Sequence, residues 1–228
     1  MGRYDQLALD LAVWIKINKV NVNNIDAELF NRTEIHPSLY ENFANSLHEG
    51  DALGMLTVMN SEYGMNFVKN NILQLQACNL YEKAIVQAYT RRKDNFCHWK
   101  IEVIKHMLDI ANKDILYSTG DNVEDEYPIV VYRGISGSGS KYRPRGISWT
   151  SDFEKAKWFA TYFNRKHNAN LPNCHVYETK IQRKNVYFYW DERNEKEFVC
   201  NITPKHPVKL IWDAEKENDG SNQQNDKI

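Results

Sequence analysis

With 228 residues, 42% hydrophobic and 26% charged side chains, the chain has ordinary globular usage and ample material for one large or two modest cores, which sets aside the disordered and membrane-spanning classes. Its 29 basic and 30 acidic residues leave a net charge of -1, but residues 1–128 carry 12 basic and 18 acidic groups, residues 129–184 carry 11 and 3, and residues 185–228 carry 6 and 9. A middle segment of net +8 suggests a surface meeting phosphate, of a nucleotide or of a nucleic acid, unless these Lys and Arg only decorate solvated faces.

The N-terminal stretch MGRYDQLALDLAVWIKINKV has acids within its apolar run and no small-residue cleavage site, so it reads as neither a secretory signal nor a spanning helix. Gln6 stands where a myristoylation signal needs Ser or Thr. Tyr4, Leu7, Ala8, Leu11 and Trp14 instead follow the spacing of an amphipathic helix. The same spacing places Leu39, Phe43 and Leu47 on one face of PSLYENFANSL, and it returns in the apolar runs 65–92 and 96–115. The acidic, Gly- and Pro-containing STGDNVEDEYP then reads as a linker.

Beyond it the period changes to that of strands. IVVYRGI, GISWTS, CHVYETKI, NVYFYW, EKEFVCNI and PVKLIW are short, rich in β-branched and aromatic residues, and separated by turn signals. One helix interrupts them, SDFEKAKWFATYFNRK, with Ser151 as N-cap, Glu154 completing a capping box, and Phe153, Ala156, Trp158, Ala160 and Phe163 supplying apolar surface. The expected organisation is α+β: a helical region over 1–125, a mostly antiparallel, sandwich-like β core over 126–215, and a disordered polar tail over 216–228. Cys78, Cys97, Cys174 and Cys200 show no zinc-type spacing, so four free thiols in a reducing cytoplasm, and no metal, are expected.

Three stretches of the β half put polar residues where a strand prefers apolar ones. In VVYRGI, Arg133 follows Val130, Val131 and Tyr132 and precedes Gly134; its planar fork suits phosphate or carboxylate, and Gly allows close backbone approach. In GISWTSD, Ser148 and Thr150 share a strand face without any nucleophile elbow or neighbouring base, which makes them positioning groups. In NEKEFVCNI, Glu195 and Glu197 are two apart and in a strand would point the same way, with a repulsion that a purely structural strand has little reason to carry. Taken alone, such a pair also serves to keep a strand edge from aggregating.

In order, the three stretches resemble the R-S-E signature of the arginine-type ADP-ribosyltransferases. YRG fits the first element, SWTSD followed by KAKWFA is similar to the form found in bacterial and phage-related members, and NEKEFV fits the ExE strand, over roughly residues 129 to 213. SWTS replaces the commoner STS, which makes Ser148 the family serine. The resemblance implies an α+β core that binds NAD as co-substrate, cleaves its nicotinamide–ribose bond and passes ADP-ribose to an acceptor. It assigns Glu197 to the nicotinamide ribose and the developing cation, Glu195 to the acceptor, and Arg133 to the diphosphate or ribose. Gly134 would meet the nicotinamide amide, and Ser148 would hold Glu197 or the ribose; Tyr132 and Thr150 line the cofactor site. Tyr189 and Trp190 would stack on nicotinamide or acceptor, or pack in the core. In the loop GSGSKYRPRG, Lys141, Arg143 and Arg145 would meet phosphate of NAD or of RNA or DNA. A toxin or effector is implied, cytoplasmic or delivered, that modifies protein arginine or nucleic acid, meets no membrane, and is held in check by an antitoxin or immunity protein. An NAD glycohydrolase and a catalytically silent partner-binding module are the alternatives.

Overall fold

The structure, a computed structural model, describes residues 27–92, 96, 99–139 and 142–216. The helix expected from Tyr4 to Trp14, Cys97, Lys141 of the basic loop and all of the tail beyond residue 216 lie outside them. Two compact units meet at Thr119 and Gly120, inside the stretch read as a linker and a little ahead of the boundary expected at 125.

The first unit is helical. After 3-10 turns at Ala27–Leu29 and Pro37–Leu39 come α1 (Tyr40–His48), α2 (Ala52–Thr57), α3 (Gly64–Asn70), α4 (Ile72–Ala77), α5 (Tyr81–Thr90), α6 (Ile101–Asp109) and α7 (Lys113–Thr119). The apolar run 65–92 breaks into three helices at two asparagines. Asn71, fully buried, donates its side-chain amide to Phe67 O and Asn31 O, while its Oδ1 accepts from Asn31 N at 2.6 Å. Asn79 adopts a left-handed φ of 56°, which a short polar side chain tolerates. Helix α2 has too few residues for a periodic signal and owes its start to Asp51, which accepts from Gly54 N at 2.9 Å. Phe30, Phe43 and Phe67 form a three-ring cluster with centroids 5.5 to 6.2 Å apart. Tyr81 of α5 is buried and donates its hydroxyl to Met107 O at 2.7 Å.

The second unit is an antiparallel six-stranded sheet with one helix. Its strands are β1 (Ile129–Ile135), β2 (Ser148–Thr150), β3 (His175–Ile181), β4 (Val186–Trp190), β5 (Glu197–Cys200) and β6 (Lys209–Asp213), in the order β4-β5-β2-β1-β3-β6. The α+β, antiparallel expectation holds. The strands belong to one hydrogen-bonded order because the short β2 bridges β5 and β1. That bridge is narrow on one side. β2 pairs with β5 at three positions but with β1 only at Tyr132↔Thr150, so two three-stranded halves meet at a single rung.

Helix α8 (Phe153–His167) connects β2 to β3 and lies on β1. Ala156 and Ala160, both fully buried, pack with Val176, Tyr132, Phe153 and Trp212. The helix approaches so closely that a Cβ on Gly134 would penetrate Ala156 O. The helix N-cap is Asp152 rather than Ser151. Thr150 Oγ1 accepts from Asp152 N at 3.0 Å, and this tight turn carries the chain one residue further before Asp152 accepts from Lys155 N at 2.9 Å.

Candidate functional site

The three polar stretches, separated by up to 64 positions between Arg133 and Glu197, fold onto three adjacent strands, β1, β2 and β5. Facing residues in antiparallel strands share a side of the sheet. The ladders therefore align Trp190, Glu197, Thr150, Tyr132, Glu178 and Lys209 in one row across all six strands. Glu197 stands between Trp190 and Thr150 in that row, and Ser148 lies two residues along β2 on the same side, opposite Val199.

The hydroxyl of Thr150 is spent locally. It donates to Glu195 O at 2.7 Å and accepts from Asp152 N, and Ser151 N donates to Lys196 O at 3.3 Å. Thr150, 5% exposed, thus ties the turn before β5 to the start of α8. This overturns the expectation that Glu195 and Glu197 share one face of a single strand. Regular pairing begins at Glu197, and Lys196 sits at a left-handed φ of 47°, which interrupts the pleat between the two carboxylates. The turn is organised by Asp191, whose Oδ1 accepts from Lys196 N at 2.8 Å and whose carbonyl accepts from Asn194 N at 2.7 Å.

Arg133 reaches the main chain of the loop that follows it. Its Nε donates to Arg143 O at 3.1 Å and one terminal nitrogen to Ser148 O at 2.6 Å, so part of the fork braces the segment leading into β2. Gly134 is required by the close contact with α8. Arg145 likewise donates to Thr203 O and His206 O, at 3.0 and 2.7 Å. Three of the residues singled out for phosphate or nicotinamide therefore have structural reasons of their own.

Tyr132 and Ser151 line an open cleft of about 350 Å³ together with Asp125, Glu126, Pro128, Ile129 and Val130. Two carboxylates on its wall oppose a diphosphate there. On the other side of Glu197 the chemistry differs. The indole Nε1–H of half-buried Trp190 is sealed from solvent and has no acceptor among the described residues. Such an orphan donor costs about 1–3 kcal/mol unless something supplies an acceptor. Tyr189 is packed against Phe198 with ring centroids 4.6 Å apart. Its hydroxyl is pushed up to about 12 by burial and by Asp191, with Asp121 and Asp125 adding to the effect.

One cluster was missed from sequence. Tyr142 Oη meets His175 Nδ1 and, at 2.6 Å, Tyr177 Oη, while His175 Nε2 lies 3.6 Å from Asp213 Oδ2. His175 and Tyr177 alternate in HVYETKI as a polar pair on one strand face, and that was the available signal; Tyr142 and Asp213 come from a loop and an edge strand that no local pattern connects.

Cys78, Cys174 and Cys200 are free. Burial, and then the Glu197 carboxylate, push the fully buried Cys200 thiol well above its ordinary value, which leaves it inert. Among the described residues no group of three or more His, Cys, Asp and Glu side chains is placed to hold a metal ion, and no helix is long and apolar enough to cross a membrane. Comparison with known protein families, curated proteins and solved structures returned no match.

Proposed function

We propose that the chain is an NAD-dependent mono-ADP-ribosyltransferase, a toxin or effector that cleaves the nicotinamide–ribose bond and transfers ADP-ribose to a macromolecule. The adjacency of β1, β2 and β5 carries this reading: stretches that resemble the R-S-E elements in sequence order meet as neighbouring strands, with Tyr132, Thr150 and Glu197 in one row across them. Trp190, one rung from Glu197, offers an aromatic ring to nicotinamide beside the carboxylate. The acidic cleft beside Tyr132 fits NAD poorly, so the cofactor is assigned to the Glu197–Trp190 side of the row.

Breaking a glycosidic bond to nicotinamide develops positive charge on the ribose, and a fixed carboxylate stabilises it. Glu197 supplies that charge. Glu195, on the turn rather than in the strand, is placed to act on the incoming group independently of Glu197. Arg133 and Thr150 serve as braces that hold β2 and the turn before β5, and Ser148 lies beside them on the Glu197 side of β2. As the family's NAD donor chemistry requires no metal, the side chains carry the reaction.

Labelled NAD incubated with the purified chain and a cell lysate, followed by protease or nuclease, tests the proposal. Label on a macromolecule supports it, and its release by protease or by nuclease identifies the acceptor class. Free ADP-ribose alone replaces it with a glycohydrolase, and no turnover by the folded chain rejects it in favour of a silent partner-binding module.

A further inference from the structure

Helix α8 faces the sheet with Ala156 and Ala160, both fully buried. At 3.6 residues per turn its opposite face carries Glu154, Lys155, Trp158, Thr161, Tyr162 and Arg165, with Lys166 at its edge. An outward face ordinarily needs only polar residues, yet Trp158 is 41% exposed there and packs against Tyr162 with ring centroids 4.5 Å apart. The two rings form a platform that cations frame. Lys155 Nζ sits 5.9 Å from the centre of the Trp158 ring, Lys166 Nζ accompanies Tyr162 at 2.6 Å from its hydroxyl, and Arg165 donates to Trp158 O at 3.1 Å. The acids of this stretch are few: Asp152 is turned back onto Lys155 N as the helix cap, and Glu154 is the one carboxylate within the helix. The platform lies in the 129–184 segment that carries 11 basic and 3 acidic residues.

We infer that this face of α8 binds single-stranded nucleic acid. The exposed indole of Trp158, with the Tyr162 ring tilted 41° beside it and cations around it, meets both demands of that ligand: an unpaired base stacks on Trp158, and the flanking phosphates meet Lys155, Arg165 and Lys166. Base pairs in a duplex keep their faces stacked on one another and offer none to the indole, so single strands are preferred. A lipid surface fits less well, since the outward residues include no aliphatic side chain to enter an acyl layer. The surface stands on its own geometry and holds whether or not the chain turns over NAD.

Fluorescence anisotropy of a short labelled oligonucleotide with the full chain, in the absence of NAD, tests the inference. Binding is expected to weaken with salt with a slope of roughly -2 in log units, from about three phosphate contacts at ~0.7 each. Trp158→Ala should lower affinity roughly 5- to 100-fold, with Trp158→Phe recovering part of it. The triple change Lys155→Ala, Arg165→Ala, Lys166→Ala should flatten the salt slope, and circular dichroism checks that the fold is kept. No binding at low salt, affinity indifferent to Trp158→Ala in a folded variant, or equal affinity for duplex overturns it. Because no NAD is present, any of those results leaves the transferase proposal to its own test.

Discussion

Glu197 pairs on one side with half-buried Trp190, whose indole N–H has no acceptor among the described residues, and on the other with a threonine whose hydroxyl is fully committed. It is the carboxylate of that row beside Trp190, so Glu197→Gln, which keeps size and hydrogen bonding, should lower NAD cleavage on the order of 10²–10³-fold without unfolding the chain. Near-unchanged turnover would remove Glu197 from the reaction. Glu195→Gln should reduce transfer to the acceptor more than hydrolysis of NAD, because the left-handed Lys196 separates the two carboxylates in conformation. Equal loss of both activities would mean one shared role. Trp190→Ala removes the ring beside Glu197 and should raise KM for NAD roughly 2- to 10-fold with kcat little changed. An unaltered KM would place Trp190 outside the site. Glu197, Ser148 and Thr150 were picked out by polarity within apolar strands. That Thr150 would bond Glu195 O and that Arg133 would reach Arg143 O and Ser148 O depends on contacts between distant segments, which no local pattern encodes.

The elements were legible where residues repeat and obscure where single side chains set the boundary. IVVYRGI became β1 residue for residue, because β-branched residues bounded by Pro and Gly leave few alternatives. The long helix expected over 65–92 became three, because the buried hydrogen bonds of Asn71 outweigh apolar periodicity. The start of α8 moved from Ser151 to Asp152 for a similar reason, a side-chain turn at Thr150. Both ends of this helix-on-strand unit can be probed. Asp152→Ala should cost about 0.5–2 kcal/mol in denaturant unfolding, whereas Ser151→Ala should cost far less; the reverse order would restore Ser151 as the cap. Gly134→Ala must push α8 off β1 and should cost about 1–3 kcal/mol or more. A variant as stable as the parent would mean that the helix shifts outward freely.

At the level of the whole molecule, the periodicity changes from helical to strand near STGDNVEDEYP, and two compact units divide between Thr119 and Gly120. The strand order was not legible. Neighbours in sequence, β1 and β2, share one rung, while β2 and β5, separated by a helix and two strands, share three. Long-range pairing is chosen by packing across the completed sheet, and no short window contains that information. The single rung has a consequence for how the sheet gives way. β1 and β3 hold each other at seven positions from Ile129 to Ile135, so exchange of backbone amides for deuterium should be slow along that ladder and faster at the β1–β2 junction. Uniform protection across both would mean that the junction opens only with the rest. Under mechanical load applied through its outermost strands, the sheet should tear along Tyr132 and Thr150 first, with each set of three strands surviving as a separate fragment.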